Sequence, residues 1–355
     1  MEERKMILNM LSEGKISAEE AEKLLLAVNH KKTFALPSAT LSKKNKDHKK
    51  VPSKGFKVGK FFNRVVKRIK TADFDLNFGP HEEVHYIFED RHVMFEDIDI
   101  EIYNGSITLV PWERNDVQIE CEAEVYKIPE GTAAKTKFRN ETFYDCDATR
   151  LRFYSRNKHQ KVNAVISVPK KHYHEIKGVT FNGGIKASDC QSRQMELKST
   201  IGSLFVSRCS GDKLKAEASN GSITLKESKW KDIIAETMNG PVRLNGEAEQ
   251  IRIETINGSI YYRLDTPASG YASLKTVTGK IEAELPGSLE VEASLKTYVG
   301  GLVSDFDGME VLEQKKEVTK KFLRFIANKG SEPAYRMEAE AKTGSIALLK
   351  AKEEG

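Results

Sequence analysis

Two different hydrophobic periods divide the chain. Over the first thirty residues apolar side chains recur at helical spacing, with Ile7, Leu8 and Leu11 on one face ending at Gly14 and Ala21, Leu24, Leu25 and Val28 on a second. Ser17 stands before the second run and Glu20 follows three residues later, a capping box in which each side chain satisfies a free backbone N–H of the first turn. The pattern predicts a small N-terminal α-hairpin over residues 1–30. Such a hairpin is too small to hold a core alone. Its face (Ile7, Leu8, Leu11, Leu24, Leu25, Val28) is therefore expected to dock on another copy, on the rest of the chain or on a protein partner.

From about residue 71 the period falls to two, and the pattern repeats. Glycines recur at 105, 183, 202, 221, 240, 258, 279, 300 and 344, and from 183 to 300 the steps are 19, 19, 19, 18, 21 and 21 residues. A period near twenty marks a solenoid or an array. Two residues after these glycines stand Ile107, Ile185, Leu204, Ile223, Val242, Ile260, Ile281, Leu302 and Ile346, all aliphatic. Three before them stand small or hydroxylated residues (Thr180, Ser199, Ala218, Thr237, Thr255, Thr276, Thr297, Ala341), and five before them an apolar column from Leu197 to Ala339. These offsets are the alternation of strands, and the glycine, often preceded by Asn, suits a corner with positive φ. The expected fold is mainly β: a parallel β-solenoid of rungs of about 19–21 residues. Asn-Gly between alternating segments also signals a hairpin, so an antiparallel meander stays open.

Two stretches interrupt the array. Residues 113–178 hold a strand at 117–125, a helix near 131–143, and strands around 149–155 and 162–169; residues 307–335 hold a predicted helix from Glu310 to Ala327. Both read as lateral or capping insertions, because open stack ends invite edge-to-edge growth. Between hairpin and repeats, residues 31–70 form a basic linker. Its last part, 56–70, places Phe61, Phe62, Val65, Val66 and Ile69 on one helical stripe with Lys60, Arg64, Lys67 and Arg68 around it. That is a basic amphipathic helix.

The net charge of +5 is unevenly spread: residues 31–70 carry fourteen Lys/Arg against Asp47 alone, whereas 71–355 carry 39 bases and 45 acids. A polyanion is thus expected to meet the linker. Phenylalanines on one face and cations on the other suit an anionic membrane surface; nucleic acid is disfavoured, since no recognition fold surrounds them. The alternative is a helix packed against the repeats. No run approaches the ~18 apolar residues of a membrane span, and the N-terminus has no secretory pattern. The expected location is cytoplasmic, with peripheral contact to a membrane.

Candidate chemistry changes little. Cys121, Cys146, Cys190 and Cys209 form no C-x-x-C pair and read as reduced thiols, with Cys190 and Cys209 stacking seven residues after their glycines. Glu217, Glu236 and Glu254, four before successive glycines, would stack about 4.8 Å apart; they read as a solvated outer face, with a cation or glycan site as the alternative. His172 and His174 share a strand face without a third metal ligand at a telling distance, and Asp305-Phe306-Asp307-Gly308 reads as a turn. Nucleophile-elbow, phosphate-loop, dinucleotide and zinc-protease motifs are missing from the sequence. The reading is therefore non-enzymatic, with no catalytic, cofactor or metal residue assigned. A carbohydrate-active β-helix enzyme is the alternative.

The segment from Lys5 to Leu25 (KMILNMLSEGKISAEEAEKLL), followed after the linker by Asn-Gly-Ser-Ile at 104–107, 220–223 and 257–260, resembles the YvlB/LiaX-like proteins of Gram-positive bacteria. Those proteins join an N-terminal helical hairpin to a β-strand-repeat domain of adhesin type. The likeness covers about residues 1–28 and 75–350. It implies a scaffold or sensor linked to cell-envelope stress, and it carries over no catalytic residue.

Overall fold

A rung of this chain turns where two backbones come too close for a side chain. In the computed structural model, which describes residues 79–317 and 320–351, a Cβ on Gly202 (φ 146°) would lie 2.2 Å from the carbonyl oxygen of Gly183 in the rung beside it. The same glycine's N–H donates to the Asn220 carbonyl of the rung on its other side at 2.9 Å. Corners therefore stack directly on corners. Only glycine fits there.

Strands precede and follow each corner. The first rung is β1 (His81–Asp90) as a side strand, then β2 (Asp97–Asn104) and β3 (Ile107–Trp112) around Gly105. Next come β4 (Val117–Tyr126), the helix α1 (Ala134–Glu141), β5 (Phe143–Cys146), β6 (Arg150–Ser155) and β7 (Gln160–Pro169). The repeats continue with β8 (His172–Asn182), β9 (Ile185–Ser188), β10 (Gln191–Ile201), β11 (Leu204–Ser207), β12 (Ser210–Asn220), β13 (Ile223–Asn239), β14 (Val242–Asn257), β15 (Ile260–Arg263), β16 (Gly270–Thr278) and β17 (Ile281–Leu285). The chain closes with β18 (Glu290–Val299), β19 (Leu302–Ser304), β20 (Glu310–Glu317), β21 (Lys320–Ala327), β22 (Ala334–Thr343) and β23 (Ile346–Lys350).

The pairing is parallel and in register. On the pre-glycine face β2, β8, β10, β12, the second half of β13, the second half of β14, β16, β22 and β18 follow one another. On the post-glycine face β3, β9, β11 and the first halves of β13 and β14 lead to β15, β17, β23 and β19. Leu204 pairs with Ile223 and Ile223 with Val242, so each aliphatic column becomes a line of contacts. The antiparallel meander is not what these strands form. Eight of the nine residues two after the glycine are buried, and Leu302, in the outermost rung, is partly so.

The hydroxyl column has its own reason. Ser199 donates to the Gly183 carbonyl at 2.9 Å, Thr237 to Gly221 at 3.0 Å, Thr276 to Gly258 at 2.9 Å and Thr297 to Gly344 at 2.8 Å. A carbonyl buried at a corner needs a donor, and a short hydroxyl one rung away supplies it. In three successive rungs the second corner needs no glycine: Asp189, Arg208 and Glu227 turn at φ of 60°, 50° and 51°. Glu227 is the residue at which the register of β13 slips against β14. The next rung lacks its counterpart, which accounts for the single 18-residue step.

The ends depart from the sequence reading in three ways. First, the predicted helix Glu310–Ala327 is instead the hairpin of β20 and β21, with β21 antiparallel to β18. Lys- and Glu-rich composition favours helix locally, but the exposed edge of β18 gives Leu323, Phe325 and Ala327 a place to bury at strand spacing. Second, the 113–178 stretch is only partly lateral, because β7 joins the stack beside β3 and the start of β8 lies beside β2. β4 and β1 extend the post-glycine face antiparallel beyond β7, β6 and β5 extend the pre-glycine face, and α1 seats Phe138 within 5.8 Å of the Tyr86 ring. Third, rung order is not chain order: β22 and β23 lie between β16–β17 and β18–β19. The N-terminal hairpin and the linker lie outside the described residues.

Candidate interaction surfaces

The outward side chains of the pre-glycine face form ladders across the rungs. Lys215 bonds Glu217 at 2.9 Å and approaches Glu196 at 3.4 Å, while Lys198 bonds Glu196 at 2.5 Å and approaches Glu217 at 3.5 Å. Burial raises the Glu196 carboxyl, but its lysines more than offset that and leave it below the ordinary range. Burial likewise pulls Lys215 down, and its bond to Glu217 more than restores it. The expected solvated carboxylate column is corrected here. Glu217 is only 7% exposed, whereas Glu236 and Glu254 are half-buried. Glu217 lies between the ammonium groups of Lys198 and Lys215.

Cys190 and Cys209 stack as the spacing predicts. The Cys190 N–H donates to Cys209 Sγ at 3.4 Å, and each thiol donates to a carbonyl two residues back. The four cysteines are free. The bond to Cys209 together with burial pushes the Cys190 thiol up, and burial pushes Cys121 to about 12. The bond to Cys190 lowers the Cys209 thiol, against the burial that raises it.

His174 and His172 do not converge on a metal. His174 Nδ1 meets Asp97 Oδ1 at 3.0 Å, and Arg150 meets the other oxygen at 2.7 Å. Burial raises the Asp97 carboxyl, but these partners hold it below its usual range. Among the described residues no His, Cys, Asp or Glu cluster could hold a metal ion. The Asp305–Gly308 stretch is a turn, with Asp305 accepting the Lys350 N–H at 2.7 Å and Asp307 pairing the Lys350 ammonium at 2.7 Å.

One concavity escaped the sequence reading. A cleft of about 960 Å³ runs past the second corners, with Lys226, Glu227, Asn245, Arg263, Asp265 and Lys350 among its lining. Most of its charges are paired with one another, Arg263 with Asp265 at 2.7 Å and Lys226 with Glu227 at 3.2 Å. Lys226, Asn245 and Arg263 stand in register, each five residues after a rung glycine, but the rest of the lining (Asp265, Pro267, Pro286, Gly287) comes from loops that no spacing in the sequence marks. At the far end of the stack Val299, Val303, Val311 and Leu312 stand exposed.

The predicted hairpin face (Ile7, Leu8, Leu11, Leu24, Leu25, Val28) and the predicted membrane-binding residues (Lys60 to Ile69) lie outside the described residues. No described helix is long and apolar enough to cross a membrane.

Comparison with known proteins places the stack. Residues 95–348 match the family described as Toastrack DUF4097, from the first rung to the last. The chain belongs to the Toastrack family. Residues 2–33 match a SHOCT-like domain, over the stretch where the sequence predicts the hairpin. This Toastrack protein is 33% identical over 364 residues to the uncharacterized protein YvlB of Bacillus subtilis, covering 98% of each chain. Among solved structures, a Bacteroides fragilis protein provisionally named an adhesin matches 75% of this chain and 97% of its own, at 13% identity and a TM-score of 0.41. A Parabacteroides distasonis protein provisionally named lipid binding matches 76% and 97%, at 10% identity and a TM-score of 0.39.

Proposed function

We propose that this protein is a non-enzymatic scaffold or sensor linked to the bacterial cell-envelope stress response, acting at the cytoplasmic side of the membrane. The solenoid presents its outer faces as a long interaction surface. The hairpin recruits a partner or joins copies of the chain, and the basic segment 56–70 brings the molecule to anionic lipid. The observation that supports this reading best is the in-register stack. Rungs that repeat the same outward columns offer an extended, rigid surface suited to an extended partner. Buried thiols and mutually paired charges leave that surface built for contact rather than chemistry.

Capture from envelope-stressed cells tests the reading. The full chain should retain a defined set of envelope proteins, and a chain lacking residues 1–70 should lose most of them. Identical sets, together with identical masses by light scattering for the full chain and one starting at Thr33, would sink the proposed role of the hairpin. Flotation of the full chain with anionic vesicles should weaken as salt rises, because screening removes the attraction of each base, on the order of 1 kcal/mol. Failure to float at low salt would sink the membrane part.

A further inference from the structure

Each inner rung ties itself to the rung beyond it by the same two donors. The Gly202 N–H reaches the Asn220 carbonyl and the Leu204 N–H the Ser222 carbonyl, both at 2.9 Å. The pattern recurs from Gly105 and Ile107 through to Gly344 and Ile346, whose acceptors are Val299 at 2.8 Å and Gly301 at 2.9 Å. The outermost rung has no rung beyond it. β19 pairs with β23 on one side only, and among the described residues the N–H groups of Gly300 and Leu302 meet no backbone carbonyl. Lys321 donates to the Gly300 carbonyl at 2.7 Å, but an ammonium cannot accept. Val303, beside these groups, is 54% exposed. The post-glycine face thus ends in an edge with free donors and an apolar side chain, the kind of edge on which another strand adds.

The other end of the same face offers the matching strand. β1 has β4 on one side and no described strand on the other. Two antiparallel steps separate β1 from β7, which is parallel to β3, so β1 runs in the direction of the rungs. Its free edge follows from the alternation of hydrogen bonds along a strand. Val162 and Ala164 bond Ser106 of the first rung, so Asn163 turns toward β4. Its partner Glu122 turns back toward β7, Cys121 therefore turns toward β1, and Tyr86 opposite Cys121 turns toward β4. The backbone groups of Glu83, His85 and Ile87 are left on the free edge. Tyr86 also stands level with Ile107, the column to which Leu302 belongs, and Val84 and Phe88 on its face are buried. Direction, facing and hydrogen-bonding edge are those of one more rung.

We infer that copies of this chain associate head to tail, with β1 of a second copy as the strand beyond β19. In that register the His85 carbonyl of the incoming strand meets the Leu302 N–H and its Glu83 carbonyl meets the Gly300 N–H. Ile87, 44% exposed, comes to lie against Val303. The pre-glycine face brings its own two free edges to the same junction, β20 with Val311 and Leu312 exposed and β5 with Phe143 exposed. The two patches differ, so the contact repeats without closing and copies join in a line. The inference does not rest on the proposed role of the N-terminal hairpin, which would join copies without regard to the ends of the stack.

The test mixes full chains carrying Ile87→Cys with full chains carrying Val303→Cys and oxidises them mildly. Both positions are exposed, so neither change disturbs the core. On neighbouring strands about 4.8 Å apart the two thiols are within disulfide reach. Peptide mapping, which sets the native thiols apart, should find an 87–303 bond between copies, and neither variant alone should form an 87–87 or a 303–303 bond. Without oxidation, Ile87→Lys or Val303→Glu alone should weaken self-association in sedimentation by roughly tenfold or more, because a charge enters an apolar contact without a partner. The two changes in one chain should restore it, since the new ammonium then meets the new carboxylate of the next copy. Absence of the 87–303 bond overturns the inference, and so does a 303–303 bond, the mark of two far ends meeting. Self-association that ignores the charged variants overturns it as well and assigns the joining of copies to the hairpin.

Discussion

Individual residues in this stack are chosen by their neighbours one rung away. The glycine column was legible because nothing else repeats so regularly, but its cause was only half legible. Positive φ is visible in the sequence as Asn-Gly, whereas the 2.2 Å approach of a Gly202 Cβ to the Gly183 carbonyl appears only once rungs are stacked. Gly202→Ala should therefore cost at least the ~1–3 kcal/mol of a strained backbone position. Gly301→Ala, where a Cβ meets nothing within 4 Å, should change little; urea midpoints compare them, and equal shifts would contradict the stacked corner. Glu217 was misread for a related reason, since an outward position predicts solvent and its burial depends on what surrounds it. Ile223→Asp should abolish cooperative folding, by losing ~1.5–3 kcal/mol of burial and by burying a carboxylate. Glu217→Lys should also destabilise, by about 3 kcal/mol, because it leaves Lys198 and Lys215 facing a third cation. Thermal melts of the two variants settle whether Glu217 behaves as a buried residue or as a solvated one. The non-glycine corners at Asp189, Arg208 and Glu227 could not be read at all, since three different side chains take up the same φ.

At the level of elements, strands with two or more aligned columns were legible and the order of the last rungs was not. Columns fix which residues stack, but they do not say whether the rung at 334–350 lies outside or inside the one at 290–304, because both offer the same residue types. The structure places it inside, between β16 and β18. A chain ending at residue 333 therefore loses an interior rung rather than an end. Its residues 290–327 should become sensitive to protease while β2 to β15 stay resistant. A chain that keeps uniform resistance would contradict the inserted rung. The β20–β21 hairpin was missed because local helix propensity and an edge needing cover point in opposite directions, and the edge won.

The whole molecule rests on one geometric claim: each repeat is a rung paired in parallel and in register with the next. The repeat length was visible in the sequence, but the parallel choice was not, because an Asn-Gly corner and an Asn-Gly hairpin share their residues. What lies on the outer faces, including the ion-pair ladder, follows from that choice. Paired cysteines separate the two geometries directly. In the stack Thr224 lies beside Arg243 on the post-glycine face, so Thr224→Cys with Arg243→Cys should close a disulfide under mild oxidation, neighbouring strands being about 4.8 Å apart. In a hairpin folded about Asn220-Gly221, Thr224 would instead face Glu217, and Glu217→Cys with Thr224→Cys would be the pair that closes. Peptide mapping of both oxidised variants gives the answer. The stack predicts the 224–243 bond alone, and a 217–224 bond formed in its place would contradict it.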